Sequence, residues 1–271
     1  MTVLEGLKPE KVFYFFEKLC EIPHGSTNMK EISDYLVSFA KERNLKYYQD
    51  EAYNVVIYKE ASAGYEDAPI TILQGHCDMV AEKTPDSDHD FTKDGLKLKV
   101  EGDYLTAEGT TLGGDDGIAV AYMLAILDDD TLKHPALECV ITTDEEIGLL
   151  GAKALDTSVL KGTHMINMDS EEEGYLWISC AGGLSGTSRI PVEYQEMEGV
   201  VTEVLIDGLN GGHSGAEIDK NRANANKLMG LFLYELGQKT AYSIKDLSGG
   251  TKDNAITREC EMSLIYADSM K

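Results

Sequence analysis

Between residues 8 and 169 the chain alternates two kinds of apolar pattern, and that alternation constrains its fold more than any other feature. Residues 8–21 and 28–43 space their apolar side chains three or four positions apart, the repeat of amphipathic helices. "YNVVIYK" (53–59), "PITILQGH" (69–76), "ALECVITT" (136–143) and "THMINMD" (163–169) are short apolar runs of strand type. "LKLKVEGDYLTAEG" (96–109) predicts a hairpin turning at Gly102-Asp103. "DGIAVAYMLAIL" (116–127) predicts a helix that is apolar nearly all round, and therefore buried. Strands alternating with helices predict an α/β fold, a mostly parallel sheet sandwiched by helices.

The texture changes after about residue 183. "VTEVLIDGL" (201–209) predicts a strand, "NRANANKLMGLFLYEL" (221–236) a long helix and "AYSIKDLSGG" (241–250) another strand. Two domains are therefore expected, over 1–183 and 184–271, the second being the start of an α+β unit. No tandem repeat or low-complexity linker interrupts the chain.

Composition narrows the function classes. There is no run of about eighteen uncharged apolar residues, so no membrane span is expected. The first twenty residues lack the basic start and apolar core of a signal peptide. Five cysteines, an odd number with no CxxC pair, predict free thiols in a reducing cytoplasm. The net charge of −24, with no Lys/Arg cluster, argues against nucleic acid as a partner.

Four polar clusters fall just after expected strands or just before the buried helix. They are Gly75-His76-Cys77-Asp78, Gly113-Gly114-Asp115-Asp116, Thr143-Asp144-Glu145-Glu146 and Asn167-Met168-Asp169. In open α/β sheets the functional crevice lies beyond the carboxyl ends of the strands, so these clusters are expected to converge there. His76 and Asp78 are two apart and would project to the same side of an extended chain, with Cys77 on the opposite face as packing. Taken singly, each has an ordinary reading: a hydrogen-bonded histidine, a helix cap at Asp115-Asp116, a solvated turn at Glu145-Glu146, a turn residue at Asp169. Together, Asp115, Glu145, Glu146 and Asp169 without a cation would cost several kcal/mol in repulsion and desolvation. One or two divalent metals offset that cost. Imidazole with carboxylates suits zinc, with manganese or cobalt as substitutes.

Three other motifs fail on their own chemistry. "EGTTLGGDDG" (108–117) is Gly-rich before a helix, but it has no Lys and its aspartates would repel a phosphate. "DSDHDFTKDGLK" (86–97) starts like a calcium loop, but has Phe91 where glycine is required and Lys97 where the final glutamate belongs. "LSG" and "HSG" lack the glycine spacing of a nucleophile elbow.

"GHCDMV", "GTTLGGDDGIAVAYMLAIL", "TTDEEIGLLGA" and "INMDSEEEG" resemble the co-catalytic zinc peptidases of the carnosinase type, in their aminoacyl-histidine dipeptidase branch. The likeness runs in order over nearly the whole chain. It implies hydrolysis of dipeptides, of Xaa-His type or of broad specificity, by water activated between two zinc ions. It implies that His76 and Asp169 bind one zinc, Glu146 the other, and Asp115 both. Asp78 would orient the His76 ring, and Glu145 would be the general base. "NGGHSGAEIDKNRANANKLM" (210–229) resembles a lid or dimerisation domain in which His213 helps bind substrate and stabilise the oxyanion. "DNAITRE" (253–259) resembles a further lid stretch, with Asn254 and Arg258 as substrate contacts. A cytoplasmic homodimer is implied.

The resemblance also implies a longer chain, in which the catalytic unit resumes after the lid and supplies a last zinc-binding histidine. The remaining histidines, His24, His89, His134 and His164, lack that position. A fragment, one part of a split protein and a natural truncation all fit. So do two other activities: an amino-acid deacylase or carboxypeptidase with the same metal site, and a non-catalytic metal-binding or dimerising module.

Overall fold

The structure is a computed structural model and describes residues 3–266 apart from 171, 181, 183, 185 and 216. The chain divides into two compact units, Met1–Tyr175 and Leu176–Lys271.

In the first unit, helices α1 (Glu10–Cys20) and α2 (Lys30–Glu42) precede strands β1 (Lys46–Gln49), β2 (Val55–Lys59) and β3 (Thr71–His76). The hairpin β4 (Leu98–Glu101) and β5 (Tyr104–Ala107) follows, turning at Gly102 with φ 63°. Then come α3 (Gly114–Asp128), β6 (Leu137–Thr142), the short α4 (Leu150–Ala154) and β7 (His164–Asn167). The main sheet has the order β1-β2-β6-β3-β7. β6, β3 and β7 pair in parallel, while β2 is antiparallel to both β6 and β1. Four of the five strands thus share one direction, and β2 alone opposes them.

The two faces of this sheet are filled unequally. Val55 and Ile57 of β2, Leu73 of β3, and Cys139 and Ile141 of β6 join one core with Phe15, Phe16, Leu36, Val120 and Leu124 of the three helices. The alternate residues Val56, Ile72 and Val140 turn to the other face, where Tyr48, Tyr58, Leu155, Val159 and Leu160 cover them. This is the period-two alternation of strands applied to runs apolar on both faces. α3 is buried along most of its length, from Gly117 to Leu127, because it packs against both α1 and β3.

The second unit contains β8 (Val200–Ile206), β9 (Gly212–His213), α5 (Ala225–Gly237), β10 (Ser243–Gly249), β11 (Ala255–Ile256) and β12 (Cys260–Tyr266). β10, β12 and β8 form an antiparallel sheet in that order, and β9 pairs with β11 as a separate ribbon. Asn224 caps α5: its side chain accepts the Lys227 N–H at 3.1 Å. Ala225 and Met229 of α5 then pack on Cys260, Met262 and Leu264 of β12. β12 has no counterpart among the expected elements. It lies just past the stretch singled out for Asn254 and Arg258.

Candidate active site

The parallel trio β6-β3-β7 brings its carboxyl ends level. His76 pairs with Thr142, and Gln74 with Asn167, so two further residues along each strand bring His76 level with Asp169. The loop after Thr142 carries Asp144, Glu145 and Glu146. α3 begins at the same edge of β3. At Gly75 an added Cβ would collide with Asp116 Oδ2 and stand 3.0 Å from the Ala119 Cβ, so glycine is what lets this helix start close against the strand. Asp115 and Asp116 sit in the first turn with non-helical backbone angles, and regular helix begins after them.

Two groups of potential metal ligands result, each with its ligand atoms within 4.8 Å of one another. One contains His76, Asp115 and Glu146; the other contains His76, Asp116 and Asp169. All four expected ligands, His76, Asp115, Glu146 and Asp169, fall in these groups, but Asp115, expected in both, joins only the Glu146 group, and Asp116 stands with Asp169. His76 Nε2 stands 3.1 Å from Asp115 Oδ1. Asp116 is buried, and its Oδ2 accepts the His76 backbone N–H at 3.3 Å.

Asp78 is the joint of the site. Its side chain is fully buried. Oδ1 lies 3.3 Å from His76 Nδ1 and accepts the Glu145 N–H at 3.0 Å. Oδ2 accepts the Ser26 hydroxyl at 2.9 Å and the Glu146 N–H at 3.3 Å. One carboxylate thus orients the imidazole and holds the backbone of the Glu145-Glu146 pair. The His76 Nδ1 also lies 3.0 Å from the Asp78 carbonyl oxygen. A second clamp holds the same loop: buried Asn54 accepts the Thr143 N–H at 3.1 Å and donates to the Gly151 carbonyl at 2.9 Å. The Thr27 N–H donates to Asp144 Oδ1 at 2.6 Å.

The electrostatics are those of a cluster built for a cation. Burial alone would lower the His76 pKa, but Asp78, Asp116 and Asp169 outweigh it and push the value up to about 10. Burial, reinforced by Asp169 and Asp115 and opposed by His76, pushes Asp116 up to about 7. Glu146 is likewise pushed up to about 7, by burial first and then by Asp115, Glu145 and Asp78, against His76. Glu145 is raised by burial, and by Asp169, Asp78 and Asp115, again against His76. Asp78 goes the other way. Burial raises it, but hydrogen bonds from His76, the Glu145 N–H and Ser26 prevail and hold it below the usual carboxylate range. The set of one imidazole and several carboxylate oxygens fits a divalent ion.

In the second unit, His213, Asn254 and Arg258 line one cavity of about 560 Å³. The ribbon places them there: His213 pairs with Ala255, and the Ser214 N–H donates to the Asn254 carbonyl at 2.8 Å.

Known proteins show the same arrangement of sequence. The chain is 39% identical over 269 residues to the cytosol non-specific dipeptidase of Escherichia coli, a match covering 98% of this chain and 56% of that protein. The crystal structure of aminoacylhistidine dipeptidase from Vibrio alginolyticus superposes with a TM-score of 0.72 at 37% identity, over 97% of this chain and 54% of that one. Over this span the chain is similar to dipeptidases. It spans about half the length of the relatives it matches. Residues 206–269 match the peptidase dimerisation domain. Aminopeptidase PepT from Bacillus cereus, at 17% identity and a TM-score of 0.53 over 97% of this chain and 68% of its own, shares the fold.

Three polar residues of this site were not singled out as site residues from the sequence. Asp116 had a signal, as the second of two aspartates opening a buried helix. Ser26 and Asn54 had none, because each acts on a loop far away in the chain: Ser26 on Asp78, and Asn54 on Thr143 and Gly151.

Proposed function

We propose that this chain belongs to the dipeptidase family it resembles and carries the metal-binding part of an enzyme that hydrolyses dipeptides, of Xaa-His type or of broad specificity. The observation that supports this best is the pair of ligand groups sharing His76, with Glu145 beside them on the loop that Asp78 holds. His76, Asp115, Glu146 and Asp169 would hold zinc, or manganese or cobalt in its place, with Asp116 against the first two. When bound, a pair of such ions lowers the pKa of water towards neutrality and polarises the scissile carbonyl. Glu145 accepts the proton of the attacking water and passes it to the leaving amine. Its raised pKa suits both halves of that transfer. Asp78 keeps the His76 ring turned and the Glu145 backbone fixed while the proton moves.

Both ligand groups draw on the same imidazole. One imidazole nitrogen serves one ion, and carboxylates alone hold zinc less well, so these residues alone would hold one ion tightly and a further histidine would complete the second site. His213, Asn254 and Arg258 are assigned to substrate contact, and the dimerisation domain to a homodimer. A cytoplasmic location accords with the name of the Escherichia coli relative and with the described residues, among which no helix is long and apolar enough to cross a membrane.

The test is a pair of neighbouring substitutions in an enzyme of the relatives' full length. Glu145→Gln should leave metal content near that of the parent while kcat on a Xaa-His dipeptide falls about a hundredfold or more. Glu146→Ala should lower metal occupancy instead. Parental turnover in Glu145→Gln removes it as the base. Faster cleavage of N-acyl amino acids than of dipeptides would favour a deacylase.

A further inference from the structure

The motif "GGHSG" of the second unit is held by a pair of charges further along the chain. The Glu217 carboxylate accepts the His213 backbone N–H at 3.0 Å and Lys220 Nζ at 2.8 Å. Arg222 meets the same carboxylate with two prongs, Nη2 to Oε1 at 2.8 Å and Nη1 to Oε2 at 3.1 Å. Arg222 Nη1 also donates to the Gly211 carbonyl. Such two-pronged pairs fix direction as well as charge. Both side chains are about three-quarters covered, at 25% and 26% exposure, so water screens them less than a free surface pair.

The two glycines follow from this packing. Gly212 has φ +136°, and a Cβ there would run into both Arg222 Nη1 and Glu217 Oε2. Gly211 has φ +65°, and a Cβ there would strike the side chain of Arg258. The turn is thus pressed between the ion pair on one side and a cavity-lining arginine on the other.

The His213 ring takes one further contact from the same turn. The Gly215 N–H donates to His213 Nδ1 at 3.1 Å. A backbone N–H can only donate, so Nδ1 must offer its lone pair, and the neutral ring carries its proton on Nε2. The bond spans two residues in an exposed turn. It persists only while the turn itself is held.

We propose that Glu217 and Arg222 are positioning residues that clamp the Gly211–His213 turn and so fix His213 as an Nε2–H donor towards the cavity it lines with Asn254 and Arg258. The proposal rests on the reading of His213 as a substrate contact for its functional meaning, but not for its geometry. An Nε2–H donor suits a carbonyl oxygen that gains negative charge during hydrolysis. The Nδ1–H tautomer would lose the bond from Gly215 and present an acceptor instead.

The test reads the ring directly. Nitrogen-15 ring spectra of the whole 271-residue chain are recorded at about pH 8.5, roughly two units above the ordinary imidazole value. The His213 signals are identified by their loss in His213→Gln. The parent should show a single tautomer protonated on Nε2. Glu217→Gln and Arg222→Lys should each show both tautomers, with the backbone amide signals of β8, α5 and β12 unmoved. Arg222→Lys keeps the charge and loses the fork, so it answers the question even if Glu217→Gln unfolds the unit. An Nδ1–H ring in the parent overturns the proposal, as does an unmixed Nε2–H ring in both variants. The readout is independent of hydrolysis: a catalytically silent His213→Ala would remove His213 from the reaction and leave the clamp standing.

Discussion

Replacing Asp78 by asparagine removes a negative charge and almost nothing else, and it should loosen the metal site and the fold together. Four donors converge on this carboxylate: His76 Nδ1, Ser26 Oγ and the backbone N–H groups of Glu145 and Glu146. An asparagine offers one acceptor oxygen, which serves two of them. Its amide nitrogen then faces the other two donors. Two charge-assisted bonds are lost, at about 1.5–3 kcal/mol each, so the chain should lose about 3–5 kcal/mol once local relaxation is allowed. For a unit of this size that is a fall in melting temperature of roughly 10 °C. Because Asp78 titrates below the usual carboxylate range in the folded chain, its contribution is complete above about pH 4 and fades as the pH falls through its depressed value. The gap between parent and variant should therefore be full at neutral pH and close only in acid. Zinc affinity should drop about 10–100-fold, since the His76 ring loses the partner that orients it. Thermal unfolding with and without zinc, together with competition titration against a chelator, measures both. A variant with parental melting temperature and parental zinc affinity would refute the role of Asp78 as the joint between the imidazole and the Glu145-Glu146 loop.

Three further outcomes follow from the same geometry. Gly75→Ala should cost about 1–3 kcal/mol in urea unfolding and weaken zinc binding, because its methyl group displaces the Asp116 carboxylate and presses on Ala119. Calorimetric titration should find one tight zinc equivalent, and zinc at a hundred times its Kd should stabilise the chain by about 2.7 kcal/mol; two tight equivalents would mean that another ligand has been overlooked. In a full-length enzyme, His213→Ala should reduce kcat/KM by about 2–4 kcal/mol of transition-state stabilisation with zinc content unchanged, and an unaltered kcat/KM would reduce His213 to a turn residue.

Much of the site was legible because metal chemistry is demanding. Few side chains bind zinc, and a run of carboxylates after successive strands is costly without a cation. That reasoning reached His76 with Asp115, Glu145, Glu146 and Asp169; the resemblance to zinc peptidases separated Glu145 from the four ligands, and those four fall in the two ligand groups of the structure. Asp116 was harder. A second aspartate at a helix start is also a cap, and only the placement of α3 against Gly75 shows it turned towards His76. Ser26 and Asn54 were illegible. A serine or an asparagine binds whatever backbone or carboxylate lies within reach, and what lies within reach is decided by packing.

The elements themselves divide in the same way. Helices α1, α2, α3 and α5, strands β2, β3, β6, β7, β8 and β10 and the β4-β5 hairpin follow from apolar spacing and turn residues, which act over a few neighbouring positions. β1, α4, β9, β11 and β12 were not among the expected elements. The direction of β2, opposed to the other four strands of its sheet, was not legible either: an apolar run reads the same whichever way it crosses the sheet. The sequence by itself determined most of the longer strands and helices and which residues have the chemistry to hold a cation. Only the tertiary structure decided the strand order β1-β2-β6-β3-β7, and with it the level at which His76, Thr142 and Asp169 stand. The reason is physical. Propensity and periodicity are local, whereas strand order and the meeting of side chains depend on how whole elements share one core.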